Sequence, residues 1–159
     1  MSPRRKRRLR PVALAAVQRT DGAVLVQRGH DATRGLTFHR LIGGGIEFGE
    51  TAEQAVVREW QEELSATLLE VRLLGWVENL FTFDGAPGHE LLAVHVGRVE
   101  DAHVLGRDDL GVIPGTTSTV HWVPGTELLD GRVPLYPEQA AAMLRPWALA
   151  GDGGSGAGA

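Results

Sequence analysis

The chain has 159 residues and a mass of 17.1 kDa, room for one domain with a single core and too little for two of ordinary size. Hydrophobic residues make up 43% and charged residues 23%, which excludes collagen-like, fibrous and wholly disordered classes, and the lack of cysteine excludes disulfides and thiolate metal sites. The net charge of -4 hides a split: residues 1–10 hold six of the 16 basic side chains and no acid, so the remainder carries ten bases against 20 acids, and a uniformly basic nucleic-acid-binding face is excluded there.

The stretch 1–10, MSPRRKRRLR, is expected to be a flexible, solvated basic arm. It is the one part suited to touch a polyanion such as RNA nonspecifically. No apolar run approaches the roughly 20 residues of a membrane span, and 11–17 is too short for a secretory signal, so a cytoplasmic protein with no membrane partner is expected. Two apolar runs, 12–18 and 23–27, flank Asp21-Gly22, which predicts a hairpin because that pair supplies positive-φ turn positions. A third strand over 37–42 runs into Gly43, Gly44 and Gly45, where bare backbone can turn tightly and approach a ligand. The spacing of Ala52, Val56, Val57, Trp60 and Leu64 predicts a helix over 51–64, capped by Thr51. Strands over 69–83 and 90–99 are joined by a turn at 84–88, a loop is expected over 104–117, and a strand over 119–123. A closing helix over 137–149 has Pro137 in its first turn and Pro146 placed to kink or shorten it, and the Gly-rich end, 150–159, is expected to be a loose tail. Hairpins interspersed with helices predict a mixed α/β sandwich, with 11–149 as the domain.

The segment GGGIEFGETAEQAVVREWQEELSA, 43–66, joins the glycines to a helix that carries Glu59, Glu62 and Glu63. At about 100° per residue these three acids share one face, while Val56, Trp60 and Leu64 fall on a neighbouring arc that can pack on a sheet. Three adjacent carboxylates raise one another's pKa unless a cation compensates. They either stay solvated, with Arg58 pairing to a neighbouring acid, or bind metal. Ligation by oxygen alone favours Mg²⁺ first and Mn²⁺ second, ions whose usual partners are phosphate oxygens. The adjoining glycines favour the metal reading.

Gly44, five residues, Glu50, seven residues, then Arg58-Glu59-Trp60-Gln61-Glu62-Glu63 resembles the Nudix box, G-x5-E-x7-R-E-U-x-E-E-x-G-U, where U is bulky and apolar. Every polar or glycine position through Glu63 matches. The departures are the aromatic Trp60, Ser65 where the family has Gly, and the small Ala66. A residue just past a helix end often adopts a left-handed conformation, which costs Ser roughly 1 kcal/mol.

The resemblance implies an αβα sandwich with a mixed central sheet and hydrolysis of a nucleoside diphosphate linked to another group. It implies Glu59 and Glu63 as metal ligands, Glu62 as a third ligand or a binder through water, and a carbonyl of Gly43 or Gly44 completing the set. Glu50 and Arg58 would pair to orient Glu59. The general base is not fixed by the box: Glu62 and Glu63 are available, and Glu90 is a further candidate as base or added ligand, with an exposed hairpin-end residue as its alternative. Arg40 is a candidate phosphate clamp, or else an outward-facing strand residue, and Gly45 lies beside the substrate. A small-molecule nucleotide is the expected partner, and a homodimer is left open. The alternative function is a non-catalytic Nudix-fold module that senses a nucleotide.

Other motifs fail. Residues 43–48 miss the last glycine of G-x-G-x-x-G, and no Lys-Ser or Lys-Thr follows for a P-loop. The six histidines lack metal spacing and read as structural or exposed. Trp76, Phe81 and Phe83 read as core in preference to base-stacking residues.

Overall fold

An apolar run buried on both faces belongs inside a sheet, and β1 (Arg10–Val17) contains such a run over 12–17. The structure, a computed structural model, describes residues 7–149. The tail expected over 150–159 and arm residues 1–6 therefore lie outside the described residues, and Arg10 is already part of β1.

The Asp21-Gly22 turn forms, with Gly22 at φ 84°, but the hairpin expected from it does not. β2 (Ala23–Asp31) meets β1 at a single Gln18–Val24 bridge and then enters a different sheet. The physical reason is that both strands are buried on both faces, so each is a central strand requiring two neighbours. The strand expected over 37–42 is likewise divided. β3 (Leu36–Arg40) pairs with β2, the chain crosses at Leu41, and β4 (Ile42–Gly45) pairs with β1. Gly43, Gly44 and Gly45 are thus in a paired strand and not in a loop.

Helix α1 (Ala52–Leu64) starts where expected: the Thr51 hydroxyl accepts from the Gln54 amide at 3.1 Å and the Gln54 side chain accepts from the Thr51 amide at 2.9 Å. It ends at Ser65, in the left-handed conformation at φ 50° and ψ 38°. β5 (Leu69–Phe83) and β6 (Ala86–Arg98) form the expected second hairpin, but the turn is only Asp84-Gly85: Ala86, Pro87 and Gly88, expected in the turn, already pair with β5, so β6 starts four residues before the strand expected over 90–99. The stretch expected as a loop over 104–117 contains the end of α2 (Ala102–Leu105) and β7 (Asp109–Val112), which pairs with β8 (Thr119–Pro124). A short α3 (Gly125–Leu129) precedes α4 (Glu138–Leu149), which begins just after Pro137 and continues through Pro146.

The first sheet has the order β4-β1-β6-β5 and is mixed, because β1 and β6 are parallel; the second, β3-β2-β8-β7, is antiparallel. Side chains alternate along β1. Ala13, Ala15 and Val17 pack in the cluster that contains Val56 and Trp60 of α1, while Val12, Leu14 and Ala16 pack in the one that contains Leu128, Ala140 and Leu144 of α3 and α4. Helices therefore cover both faces of the sheet layer, the expected αβα sandwich. Trp60 is wholly buried, so the aromatic departure in the box anchors α1, and its truncation to Ala should cost about 3–5 kcal/mol.

Candidate active site

The capped helix α1 and the glycine strand β4 run past each other, and the site is built where they meet. A Cβ on Gly44 would lie 2.4 Å from the carboxyl carbon of Glu59, so only glycine lets this carboxylate lie against the strand. Glu59 and Glu63 line a cleft of about 330 Å³ together with Gly43, Gly44 and Gly45. Glu62 does not line that cleft: its side chain is 59% exposed.

Arg58 organises this end of the helix. Its Nε donates to Glu50 Oε1 at 2.6 Å, and its Nη2 donates to Glu50 Oε2 and to the Gly45 carbonyl, both at 3.0 Å. Its Nη1 donates to Glu59 at 3.0 Å and to Glu62 at 3.2 Å. A planar fork with five donors suits such a hub. The guanidinium hydrogen bonds hold the Glu50 carboxyl below its ordinary range, helped by the Glu47 amide, and Glu50 in turn raises the Arg58 pKa. The expected pairing of Glu50 with Arg58 is present, and it reaches Glu59 directly.

Glu63 behaves differently. Burial first, then the charges of Glu59 and Glu62, push its carboxyl up to about 8, with Arg40 acting in the opposite direction. Its Oε2 is buried and has no hydrogen-bond partner among the described residues. Among those residues no three acids or histidines converge into a complete metal cage. The donors nonetheless fit a hard divalent cation: an unpartnered buried carboxyl oxygen, a second carboxylate seated on a glycine, and backbone beside both. A carboxyl ligand gives up its proton when it binds such an ion.

Glu90 is not at a hairpin end. It lies within β6, opposite Arg10 of β1 and Asn79 of β5, and is 1% exposed. Arg40 does not face outward; its Nη2 donates to Glu90 Oε2 at 2.8 Å. Arg10, assigned to the arm on sequence grounds, donates from Nη1 to Glu90 Oε1 at 3.4 Å. The one sequence signal for Arg10 was its position directly before the first apolar run. Gln27 also lines the cleft and was not singled out.

Beyond these residues a larger groove of about 1460 Å³ opens between the two sheets, walled by Phe38, Phe81, Phe83 and Tyr136. The core reading of the aromatics is corrected here: Trp76 and Phe83 are exposed, and Phe81 lies over Gly88, where a Cβ would come within 2.2 Å of the ring. The edge-on packing of Phe38 against Phe83, 5.8 Å between centroids, keeps these rings at the groove wall. The histidines are structural or exposed, as expected: His95 is buried against the Leu14 carbonyl, and His103 contacts the Leu64 carbonyl at the end of α1.

The family model described as NUDIX domain matches residues 8–145. The Mycobacterium tuberculosis protein MutT4 is 33% identical over 108 residues, covering 68% of this chain and 41% of that protein, so the match spans less than half of this relative's length. A NUDIX hydrolase from Nitrosomonas europaea superposes with a TM-score of 0.62 at 16% identity, covering 89% of this chain and 90% of the other. A MutT NUDIX hydrolase from Burkholderia pseudomallei gives 0.58 at 23% identity, over 86% and 98% of the two chains. At these identities the structures show a shared fold.

Proposed function

Because this chain belongs to the Nudix family, we propose that it is a pyrophosphohydrolase that cleaves a nucleoside diphosphate linked to a further group, with Mg²⁺ or Mn²⁺ as its ion. Nudix hydrolases generally use divalent metal ions. The observation that supports the reading here is the seating of Glu59 on Gly44 beside the buried, unpartnered oxygen of Glu63.

Glu59 and Glu63 would hold the ion directly, backbone at Gly44 would add to them, and Glu62 would act from the solvent side. When bound, the ion neutralises diphosphate charge and lowers the pKa of a bound water. The chain's own contribution is orientation. Arg58, fixed by Glu50 and by the Gly45 carbonyl, holds Glu59 toward the cleft, and Glu62 or Glu63 is the helix acid that would take a proton from an attacking water. Glu90, 1% exposed with a guanidinium on each oxygen, is poorly placed for that role. Among the described residues no helix is long and apolar enough to cross a membrane. A cytoplasmic setting remains our reading from composition.

The test is Mg²⁺- and Mn²⁺-dependent hydrolysis across dNTPs, ADP-ribose, dinucleoside polyphosphates and nucleotide sugars. Glu59→Gln and Glu63→Gln should each lower turnover by about 100-fold or more while the fold survives. Near-native rates from both would remove the mechanism. Nucleotide binding with no metal-dependent product anywhere in the panel would make the chain a sensing module instead.

A further inference from the structure

The carboxylate cleft and the aromatic groove share four lining residues, Arg10, Gln27, Arg40 and Glu90, which therefore form the neck between them. At this neck a buried carboxylate carries one guanidinium on each oxygen, Arg40 at 2.8 Å and Arg10 at 3.4 Å. One arginine would balance the charge of Glu90. The second leaves the neck with a net positive charge, facing a cleft lined by Glu59 and Glu63. Among the described residues each guanidinium makes a side-chain hydrogen bond to Glu90 alone, so most of its five donors remain unused. The Arg10 side chain is 63% exposed and that of Arg40 is 26% exposed. Two planar, partly exposed cations aimed by one buried acid have the geometry that receives phosphate oxygens.

The geometry points to Arg10 and Arg40 as a two-armed clamp for the phosphate chain of the substrate, with Glu90 as the positioning residue that aims both. The inference rests on the diphosphate reading above and makes it specific. The anhydride to be cleaved lies on the Glu59 and Glu63 side, the clamped phosphate sits at the neck, and the organic group beyond it enters the groove walled by Phe38, Phe81 and Phe83. The large, ring-bearing part of the substrate is then held apart from the metal-binding acids. Burial of Glu90 keeps its carboxylate fixed beneath the two cations, so it balances one charge and orients both guanidiniums.

The probe is α,β-methylene-ADP, whose bridging carbon replaces the anhydride oxygen, titrated calorimetrically in EDTA so that no metal contributes. Methylene diphosphonate, which lacks the base, is titrated alongside it. Arg10→Ala and Arg40→Ala should each weaken binding of the nucleotide analogue by about tenfold or more, and the dependence of affinity on salt should flatten. In any hydrolysis assay the loss should appear mainly in KM. Arg40→Lys should restore only part of the affinity, because an ammonium cannot match the planar fork. Glu90→Gln should weaken binding while Arg10 and Arg40 are both present and have little further effect in the Arg10→Ala/Arg40→Ala double variant, a coupling that a purely structural role would not produce. Native affinity in both arginine variants would overturn the clamp, as would failure of the native chain to bind either probe. Probe binding that requires Arg10, in a chain that hydrolyses nothing in the panel, would uphold the clamp and overturn the catalytic reading alone.

Discussion

Replacing Gly44 with alanine separates the site from the fold. The added Cβ would lie 2.4 Å from the Glu59 carboxyl carbon and 2.5 and 2.7 Å from its oxygens, all inside the 3.0 Å that real contacts respect. Gly44 is paired with Ala13 in the sheet, so the strand is held and the flexible end of Glu59 must yield. Restoring ordinary contact requires the carboxylate to retreat by about 1 Å, a displacement that can lower turnover by about 100-fold. Its effect on stability should be small, because no positive φ is required at Gly44 and a side-chain tip can swing away. Gly43 provides the contrast. It sits at φ 151°, and its Cβ would fall 2.0 Å from the Ala13 carbonyl oxygen, which is backbone in a central strand. Gly43→Ala should lower stability by about 3 kcal/mol, or roughly 10 °C in Tm. Steady-state hydrolysis and thermal unfolding of both variants decide the matter. Full activity in Gly44→Ala, or unfolding of Gly44→Ala with Gly43→Ala tolerated, would refute the view that one glycine seats the carboxylate and the other seats the strand.

Ser65→Gly should raise stability by about 1 kcal/mol, seen as a Tm gain of about 2–4 °C, because Ser65 occupies the left-handed region at φ 50°; a clear fall would contradict that account. Glu50→Gln leaves Arg58 without its bidentate partner and should lower kcat by about tenfold or more with little change in Tm, measured against Glu53→Gln, an exposed acid of α1 that keeps the Arg58–Glu50 pair. His39, His95 and His121 all have pKa values lowered from 6.5, chiefly by burial, with His121 and Arg28 also disfavouring the charged form of His39. The unfolded chain therefore binds more protons below pH 6.5, and stability present above that value should decline as pH falls through 6.5 toward the folded values. Urea unfolding between pH 7.5 and 5.5, in a Glu63→Gln background because that carboxyl shifts in the opposite sense, should show the decline, and His121→Gln should make it shallower; a flat profile would contradict the burial argument.

The parts of the fold that were legible have their causes close together in the chain. Helix α1 is announced by Thr51, by an apolar face of helical period and by the absence of Gly and Pro, and each of these acts within its own few turns. The β5–β6 hairpin is announced by Asp84-Gly85, whose φ values of 47° and 75° only such residues accept readily. The Asp21-Gly22 turn was announced just as clearly, yet its flanking strands part. β1 finds its parallel partner in β6, roughly 80 residues away, and nothing local distinguishes a strand that will pair across that distance from one that folds back on its neighbour. Continuous burial over 12–17 is the trace of this choice, since a half-exposed hairpin strand would alternate apolar and polar residues.

The site divides in the same way. Glu59, Glu62, Glu63, Arg58 and Glu50 are related by helical spacing and one short loop, so their meeting follows from local geometry. Arg10, Arg40 and Glu90 meet only because sheet register brings them together, across 80 and 50 positions. That register is not independent of the core. In the parallel pairing that sets Arg10 beside Glu90, Val12 lies beside Leu92 and Leu14 beside Val94, all buried in one cluster. A slip of one residue would exchange the larger set Val12, Leu14 and Ala16 with Ala13, Ala15 and Val17 between the two helix-covered faces and carry Arg10 away from Glu90 with it. The acids of α1 can thus be retained while the helix repacks, but the cations at the neck are retained only while this core register holds. Conservative variants at Val12 or Leu92 that shift β1 against β6 should accordingly disturb affinity for the phosphate chain before they disturb the carboxylate cleft.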